Sequence, residues 1–355
     1  MAIAYLCLRN ARHSGAARVR PCPRDSGADE LTTRRPLPLV DRRAALAAVA
    51  GAALYPALAA AQIASLEIFT VTEAGDGDDQ LARAIAEGLN TTRLLPNSGA
   101  VGVPGDGGEK GLVQFVSGAR PRPGLLVLGL GSLGPLVLRK ADRGLDGCRP
   151  LALLVGEAQP IVVLDKSPIR TFEDLKRTMR EDPGRLRWAG RSAGGADHQL
   201  VLQAAIAMGA DPTRVNYIAG DERTEASIKL MRGEADVATA DLGDLSAQIR
   251  GGVVRPLAIS SAQRAANFDI PTFHEQGVPL TFVNWRGVFA RRRIEQAFFE
   301  RFEEAMRTLS QLSGWRQLSA ARNWLDIYAP EADFARLVAA ERARLKALFE
   351  TAQIG

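Results

Sequence analysis

The sequence predicts an α/β protein with mostly parallel sheets, because apolar strands and amphipathic helices alternate from residue 65 to the end of the chain. The chain has 355 residues, a length that suits about two domains. Its composition, 46% hydrophobic and 24% charged, is that of a soluble globular protein. These figures exclude a disordered chain, a collagen and a disulfide-rich miniprotein.

Short apolar runs bounded by turn residues predict the strands, which in chain order are 66–71, 124–129, 151–155, 160–164, 187–189, 215–218, 237–239, 257–260 and 282–285. Apolar residues three and four positions apart predict the helices 79–90, 111–116, 171–180, 197–208, 225–232, 294–311, 313–322 and 331–353. Thr171 is a predicted N-cap with Asp174 at the third helical position, and Gly233 is a predicted helix stop. In such a fold, ligands bind beyond the carboxyl ends of the strands.

The first 61 residues are predicted to be a targeting segment rather than part of the folded structure. Arg42-Arg43 precedes an apolar run that ends in Ala59-Ala60-Ala61, which is typical of a secretory signal cut before Gln62 and predicts a periplasmic protein. A twin-arginine route stays open, and a membrane anchor is the alternative to cleavage. Residues 1–40 are rich in Arg and Pro, so we expect them either to precede the natural start or to form an unusually long leader.

The net charge of +5 comes from this leader, which holds nine Arg and four acidic residues. Residues 62–355 hold 36 residues of each sign, so we expect no nucleic-acid partner. Cys148 is the one cysteine of this body, and the sequence has only three histidines. We therefore expect no intrachain disulfide, no metal site and no cofactor.

Two patterns suggest an enzyme, and both have a simpler interpretation. Residues 129–134 form a literal GxGxxG, but charged residues at 139–143 break the apolar face that a dinucleotide-binding helix needs. We interpret the motif as a strand end that turns into a loop lining a pocket. Ser192 and His198 could form a nucleophile–base pair, although a loop serine and a helix-start histidine are more often structural. We expect no catalytic residue.

Glycine-rich loops recur where predicted strands give way to helices, at residues 75–77, 105–108, 192–195 and 220. Small residues let backbone N–H groups approach a ligand, and helix N-termini add partial positive charge. Several such loops around one cleft would hold a carboxylate without Arg or Lys, which favours a binding protein.

Ordered motifs in the body carry a resemblance to a known family. They are Ser-Ala-Gly-Gly-Ala-Asp-His at 192–198, Val-Asn-Tyr at 215–217, Met-Arg-Gly at 231–233, the stretch 249–261, Pro-Thr-Phe-His-Glu-Gln-Gly at 271–277 and Asn-Trp-Arg-Gly-Val-Phe-Ala at 284–290. Over about residues 65–355 the chain resembles the periplasmic substrate-binding proteins of tripartite tricarboxylate transporters. Residues 75–83, which are similar to that family's PGGGxDxxAR loop, and residues 103–108 are weaker matches.

The resemblance implies a type II periplasmic binding protein with two α/β lobes, 62–162 plus 287–355 and 163–286, that close over one ligand. It implies that backbone amides of the first glycine loop and of the Ser/Gly loop meet the ligand carboxylate. The ligand-binding residues it nominates are Gly75, Asp76, Gly77, Asp79, Ser192, Ala193, Gly194, Gly195, His198, Tyr217, Gly220 and Trp285. His198 could instead orient its loop.

Departures from the family pattern bear on the ligand's charge. Asp76 replaces a usual glycine, Asp106 departs in the second loop, and residues 220–223 and 290–293 carry unusual charges. A nearby carboxylate would repel citrate by about 1 kcal/mol or more per close charge pair. If Asp76 points inward, a monocarboxylate, an amino acid or a neutral ligand is favoured, unless Arg223 or Arg286 offsets its charge.

The sequence therefore predicts a monomeric periplasmic solute-binding protein that captures a small organic acid and delivers it to a membrane transporter by hinge closure. The alternative is a periplasmic ligand sensor that partners a membrane signalling kinase. An enzyme using Ser192 and His198 is the third hypothesis.

Overall fold

The computed structural model describes residues 65–119, 123–220 and 224–355. The leader, its cleavage site and Arg223 lie outside the described residues, so what the sequence predicts of them stays a prediction. None of the helices in the described part combines the length and the apolar composition that a membrane span requires.

The described residues form eleven strands and ten α-helices. The strands are β1 (Leu66–Thr70), β2 (Ser98–Gly102), β3 (Gly124–Gly129), β4 (Cys148–Glu157), β5 (Pro160–Leu164), β6 (Arg187–Gly190), β7 (Asn216–Ala219), β8 (Val237–Thr239), β9 (Val254–Ile259), β10 (Asn284–Arg291) and β11 (Trp324–Pro330). The helices are α1 (Gly77–Thr91), α2 (Glu109–Ser117), α3 (Leu130–Leu138), α4 (Phe172–Glu181), α5 (Ala196–Met208), α6 (Glu225–Met231), α7 (Leu242–Arg250), α8 (Gln296–Gln311), α9 (Ser313–Ala321) and α10 (Glu331–Thr351).

The strands form two sheets, in the orders β11-β4-β10-β3-β1-β2 and β7-β6-β8-β5-β9. The chain passes from the first sheet to the second between β4 and β5, through Ala158 and Gln159 alone. It returns after β9, through residues 260–283, to enter β10. The predicted fold class, an α/β protein with two sheets, is confirmed.

The prediction of mostly parallel sheets is wrong, because both sheets are mixed. Strand β1 is parallel to β2 and β3, and β6 is parallel to β7 and β8. However, β10 is antiparallel to β3 and β4, and β5 is antiparallel to β8 and β9. Strands β5 and β10 arrive from the other sheet rather than through a right-handed helical crossover, so they need not share the direction of the βα units.

Local signals located most elements to within two or three residues. Strands β3, β5 and β8 have the predicted bounds, and α4 has the predicted capping box between Thr171 and Asp174. Helices α3 and α7 and strands β2 and β11 were not predicted. In β11 a register shift between Asp326 and Ala329 interrupts the alternation by which a strand is recognised.

The core positions the site by pairing β10 with β3 and β4 and packing it against α10. Trp285 is fully buried and packs edge-to-face on Phe334 of α10, with ring centroids 5.6 Å apart. Phe289 lies four residues further along the strand and contacts the same phenylalanine, with ring centroids 5.0 Å apart. Side chains alternate across a strand, so Asn284 and Arg286 point to the opposite face from Trp285. That face leads to the cavity described next.

Candidate functional site

A cavity of about 80 Å³ lies where the carboxyl ends of strands from both sheets meet. The residues that line it are Thr72, Asp76, Gly77, Asp78, Gly131, Ser132, Arg191, Ser192, Gly195, Ala196, Asn284 and Arg286. Three helices, α1, α3 and α5, begin at this cavity. The first N–H groups of a helix have no acceptor within it and carry partial positive charge, so the cavity is suited to an anion.

The first glycine loop is fixed by Asp79, the third residue of α1. Its Oδ2 accepts the Gly75 N–H at 2.8 Å and the Arg83 Nε–H at 2.8 Å. Gly75 has a φ of +91°, a conformation that favours glycine. Asp79 is buried, whereas the Arg83 side chain is 61% exposed. Asp79 therefore shapes the loop from behind rather than facing the cavity.

The Ser/Gly loop is fixed in the same way by Asp197, the second residue of α5. Its Oδ2 accepts the Arg191 N–H at 2.8 Å and the Arg191 Nε–H at 3.1 Å. Its Oδ1 accepts from Gln159 Nε2 at 2.5 Å. Here the guanidinium is 16% exposed and Asp197 is fully buried, so this loop is tied into the interior.

His198 orients the same loop. Its Nδ1 accepts the Gly194 N–H at 3.1 Å, and its ring stacks on Tyr217 with centroids 4.0 Å apart. Tyr217 in turn donates its hydroxyl to the Arg191 carbonyl at 2.6 Å. Burial lowers the pKa of His198 to about 4, so the imidazole is neutral. Among the described residues no hydrogen bond joins Ser192 to His198, and Nδ1 is already occupied.

A buried network of charges underlies the cavity and centres on Arg286. Its guanidinium contacts Asp78 at 3.3 Å, Glu157 at 2.5 Å and Asp241 at 2.8 Å. Arg191 reaches the same Asp241 at 3.0 Å. Glu157 ends β4 and Arg286 lies near the start of β10, so the network is built on the two segments that join the sheets.

Protonation in this network follows from burial and from the guanidinium groups. Burial, reinforced by the charge of Asp241, raises the pKa of Glu157 well above its ordinary value. Burial opposes the ionisation of Asp241, but Arg191 and Arg286 outweigh it and lower the pKa of Asp241. Glu157 therefore favours the protonated form and donates to the Asp241 carboxylate. Burial also raises the pKa of Asp78, against the opposing charge of Arg286.

The structure brings some of the nominated residues to the cavity and places others behind it. Those at the cavity wall are Asp76, Gly77, Ser192 and Gly195. Gly75, Asp79, Gly194, His198 and Tyr217 support the two loops through the bonds described above. Gly220 donates its N–H to the Gly190 carbonyl at 2.9 Å. Trp285 is buried against Phe334, and Ala193 is exposed outside the lining. Asp106, the second acidic departure, does not line this cavity.

The GxGxxG glycines bring backbone segments close together. A Cβ at Gly129 would lie 2.8 Å from the Trp285 carbonyl oxygen, and a Cβ at Gly134 would overlap the Gly194 carbonyl oxygen. A Cβ at Gly131 would meet nothing closer than 3.8 Å and would enter the cavity. The pocket-lining interpretation holds for Gly131, but the motif begins helix α3 rather than a loop.

Sequence reasoning missed Asp78, Glu157, Arg191, Asp241 and Asn284. Asp78 carried a weak signal, because it is one of three acids within residues 76–79 of a glycine loop. The other residues lie at strand ends far apart in the chain, where no local pattern marks them. Arg286, one of the two arginines that the sequence left open as an offset to Asp76, already contacts three carboxylates. Within the described ranges, no group of His, Cys, Asp and Glu is placed to hold a metal ion.

Solved structures share this fold. The periplasmic binding protein BugD aligns with a TM-score of 0.68 at 18% identity, over 82% of this chain and 98% of BugD. MatC from Rhodopseudomonas palustris, with bound malate, aligns at 0.67 and 21% identity, over 80% and 98% of the two chains. Rpa4515 from R. palustris, with adipate, aligns at 0.67 and 18% identity, over 82% and 98%. The fold is therefore that of a two-lobed periplasmic binding protein.

Sequence comparison then gives the family. A profile described as the tripartite tricarboxylate transporter family receptor matches residues 138–354. The chain belongs to this family, and the resemblance found in its motifs is confirmed. A curated relative from Cupriavidus necator, a UPF0065 protein in the gbd 5′ region, is 21% identical over 198 residues. That match covers 56% of this chain and 59% of the relative's length.

Proposed function

We propose that the protein is a periplasmic receptor that captures a small organic carboxylate and delivers it to a membrane transporter of the tripartite tricarboxylate type. The observation that carries this proposal is the convergence of three helix N-termini on one cavity at the junction of the two sheets. Family membership supports it, since the matching profile is that of a transporter receptor. The carboxylates bound by MatC and by Rpa4515 support the ligand class.

The groups that the cavity offers to an anion are backbone N–H groups and hydroxyl groups, rather than an unpaired cationic side chain. Gly77, Gly131, Ser132 and Ala196 lie in the first turns of their helices, where N–H groups point out of the helix. The guanidinium groups of Arg191 and Arg286 both line the cavity but are held by buried carboxylates. A ligand that places one carboxylate at these helix N-termini suits the site better than a trianion.

The origin of the two halves of the cavity supports a hinge-closure mechanism. Asp76 and Gly131, in a loop and in the first turn of α3, follow strands of the first sheet, and Ser192 and Gly195 follow a strand of the second. We propose that the lobes, near 62–162 plus 287–355 and near 163–286, open about the two joining segments to admit the ligand. A cavity of about 80 Å³ is far below the roughly 300 Å³ of an ordinary ligand pocket, as expected of a closed form.

Filling the cavity tests the proposal. The full chain is titrated by thermal shift with citrate, C4 dicarboxylates and C3 monocarboxylates. A ligand at a hundredfold excess over its Kd stabilises by about 2.7 kcal/mol. Gly131→Val places two methyl groups in the cavity, so we expect the shift to be lost while the unliganded stability changes by less than about 1 kcal/mol.

Gly314→Val is the matched control. Gly314 is also the second residue of its helix, α9, and a Cβ there meets nothing within 4 Å. This variant should keep the ligand-induced shift of the unmodified chain. The absence of a shift with every carboxylate, or a shift that survives Gly131→Val, would contradict the proposal.

A further inference from the structure

Two buried side-chain oxygens at the cavity, Thr72 Oγ1 and Asn284 Oδ1, have no hydrogen-bond partner among the described residues. The Thr72 hydroxyl can rotate to find a partner, whereas the Asn284 amide cannot. Asn284 is 1% exposed, and its Oδ1 is buried without a hydrogen-bond partner among the described residues. Its Nδ2 donates to both carboxylate oxygens of Asp241, at 2.9 and 3.2 Å. Turning the amide over would set Oδ1 against those two oxygens. Asn284 therefore presents a fixed acceptor.

This acceptor lies beside the helix N-termini that would hold the ligand's carboxylate. Asn284 lines the cavity together with Gly131 and Ala196. A Cβ built on Gly131 would lie 3.8 Å from Asn284 Oδ1 and 3.9 Å from the Ala196 Cβ. Oδ1 thus borders the space between the first turns of α3 and α5. A buried acceptor left unpaired is costly, so a ligand that donates to it gains selectively.

The position of Asn284 Oδ1 limits how far that donor lies from the carboxylate. Oδ1 borders the same space between the first turns of α3 and α5 that would hold the carboxylate, so the donor has to be on the carbon next to it. The surrounding charge favours a donor over a second acceptor, because the network sets three carboxylates, Asp78, Asp197 and Asp241, beside a protonated Glu157 and against the two guanidinium groups of Arg191 and Arg286.

We propose that the ligand is a carboxylate with a hydroxyl or ammonium group on the adjacent carbon, and that Asn284 Oδ1 accepts a hydrogen bond from this group. Asn284 is then the specificity-determining residue of the cavity. The inference rests on the proposed function and narrows its ligand class.

Two matched ligand series test it by calorimetric titration of the full chain. Succinate, malate and aspartate differ only in carrying a hydrogen, a hydroxyl or an ammonium group at the second carbon. Propionate, lactate and alanine repeat that series with one carboxylate. We expect at least one donor-bearing compound to bind on the order of tenfold or more tightly than its hydrogen-bearing parent. The preferred donor distinguishes a hydroxy acid from an amino acid.

In Asn284→Ala, the ratio between the dissociation constant of the hydrogen-bearing parent and that of the donor-bearing compound should be close to one. The control is Asn90→Ala, because Asn90 also makes two side-chain hydrogen bonds, to Ser98, but lies outside the cavity lining. It should lose stability and keep the ratio. Equal binding of parent and donor-bearing compounds by the unmodified chain would overturn this inference and leave carboxylate binding intact. Binding of no compound would overturn the proposed function and this inference with it.

Discussion

The first glycine loop and the Ser/Gly loop use the same local device with different burial. In each, an aspartate in the first turn of the following helix accepts a backbone N–H of its own loop at 2.8 Å and an arginine Nε–H. Arg83, which lies in α1, is 61% exposed, whereas Arg191 of the second loop is 16% exposed and also binds Asp241. The Asp79–Arg83 pair therefore reaches the solvent, whereas the Asp197–Arg191 pair is joined to the network between the sheets.

The difference shows that a sequence motif fixes a loop's shape but not its energetic importance. An exposed ion pair contributes about 0–1 kcal/mol, while breaking a buried pair costs about 3–5 kcal/mol. We expect the Asp197–Arg191 pair to contribute more to stability than the Asp79–Arg83 pair. Three measurements test this difference.

The largest expected effect separates the two aspartates. Asp197→Asn should lower the free energy of unfolding by about 3 kcal/mol or more, because it leaves Arg191 buried with one fewer anion. Asp79→Asn should cost about 1 kcal/mol or less, since Arg83 remains solvated. Asparagine can still accept the loop N–H in both variants, so each serves as the other's control. Urea unfolding measures both losses, provided that the slope m of the unfolding free energy against urea concentration is the same in all the proteins. Equal losses would remove the distinction between the loops.

The second effect depends on His198, for which the first loop has no counterpart. Its folded pKa of about 4 lies below the unfolded value of 6.5, so the unfolded state binds more protons between these values. Its contribution to stability is complete above pH 6.5 and is lost as the pH falls toward 4, by about 3 kcal/mol.

His198→Asn should make the loss of stability between pH 7.5 and pH 4 smaller by about that amount. Asparagine can still accept the Gly194 N–H but does not titrate. Glu157, whose raised pKa acts in the opposite direction, titrates in both proteins and cancels from the comparison. Identical pH profiles of urea-unfolding stability for the two proteins would show that His198 does not titrate differently on folding.

The smallest effect concerns the contact between the Ser/Gly loop and helix α3. A Cβ at Gly134 would overlap the Gly194 carbonyl oxygen, so Gly134→Ala should hold the lobes apart. Overpacking of about 1–3 kcal/mol should weaken ligand affinity roughly 5- to 150-fold, as measured by calorimetry. Gly314→Ala, at an open helical position, should leave affinity unchanged. Unchanged affinity in Gly134→Ala would mean that this contact is not part of the bound state.

Interactions between residues that are close together in the chain were predictable from the sequence. The Thr171–Asp174 capping box, the two glycine loops before α1 and α5, and most helix and strand bounds depend on neighbours in the chain. The family was also accessible, because its motifs are contiguous. The cavity-wall positions Asp76, Gly77, Ser192 and Gly195 were therefore nominated before any geometry was known.

Tertiary structure alone decided the rest, because the remaining bonds join distant residues. Asn284 meets Asp241 across 43 positions, and Arg286 meets Glu157 across 129. The direction of β5 and β10, the burial of Trp285 and the contact of Gly134 with Gly194 likewise depend on which segments the fold brings together. Sequence determined the local conformation of each loop, while burial and long-range pairing decided which ion pair is buried and which polar atoms at the cavity lack a partner.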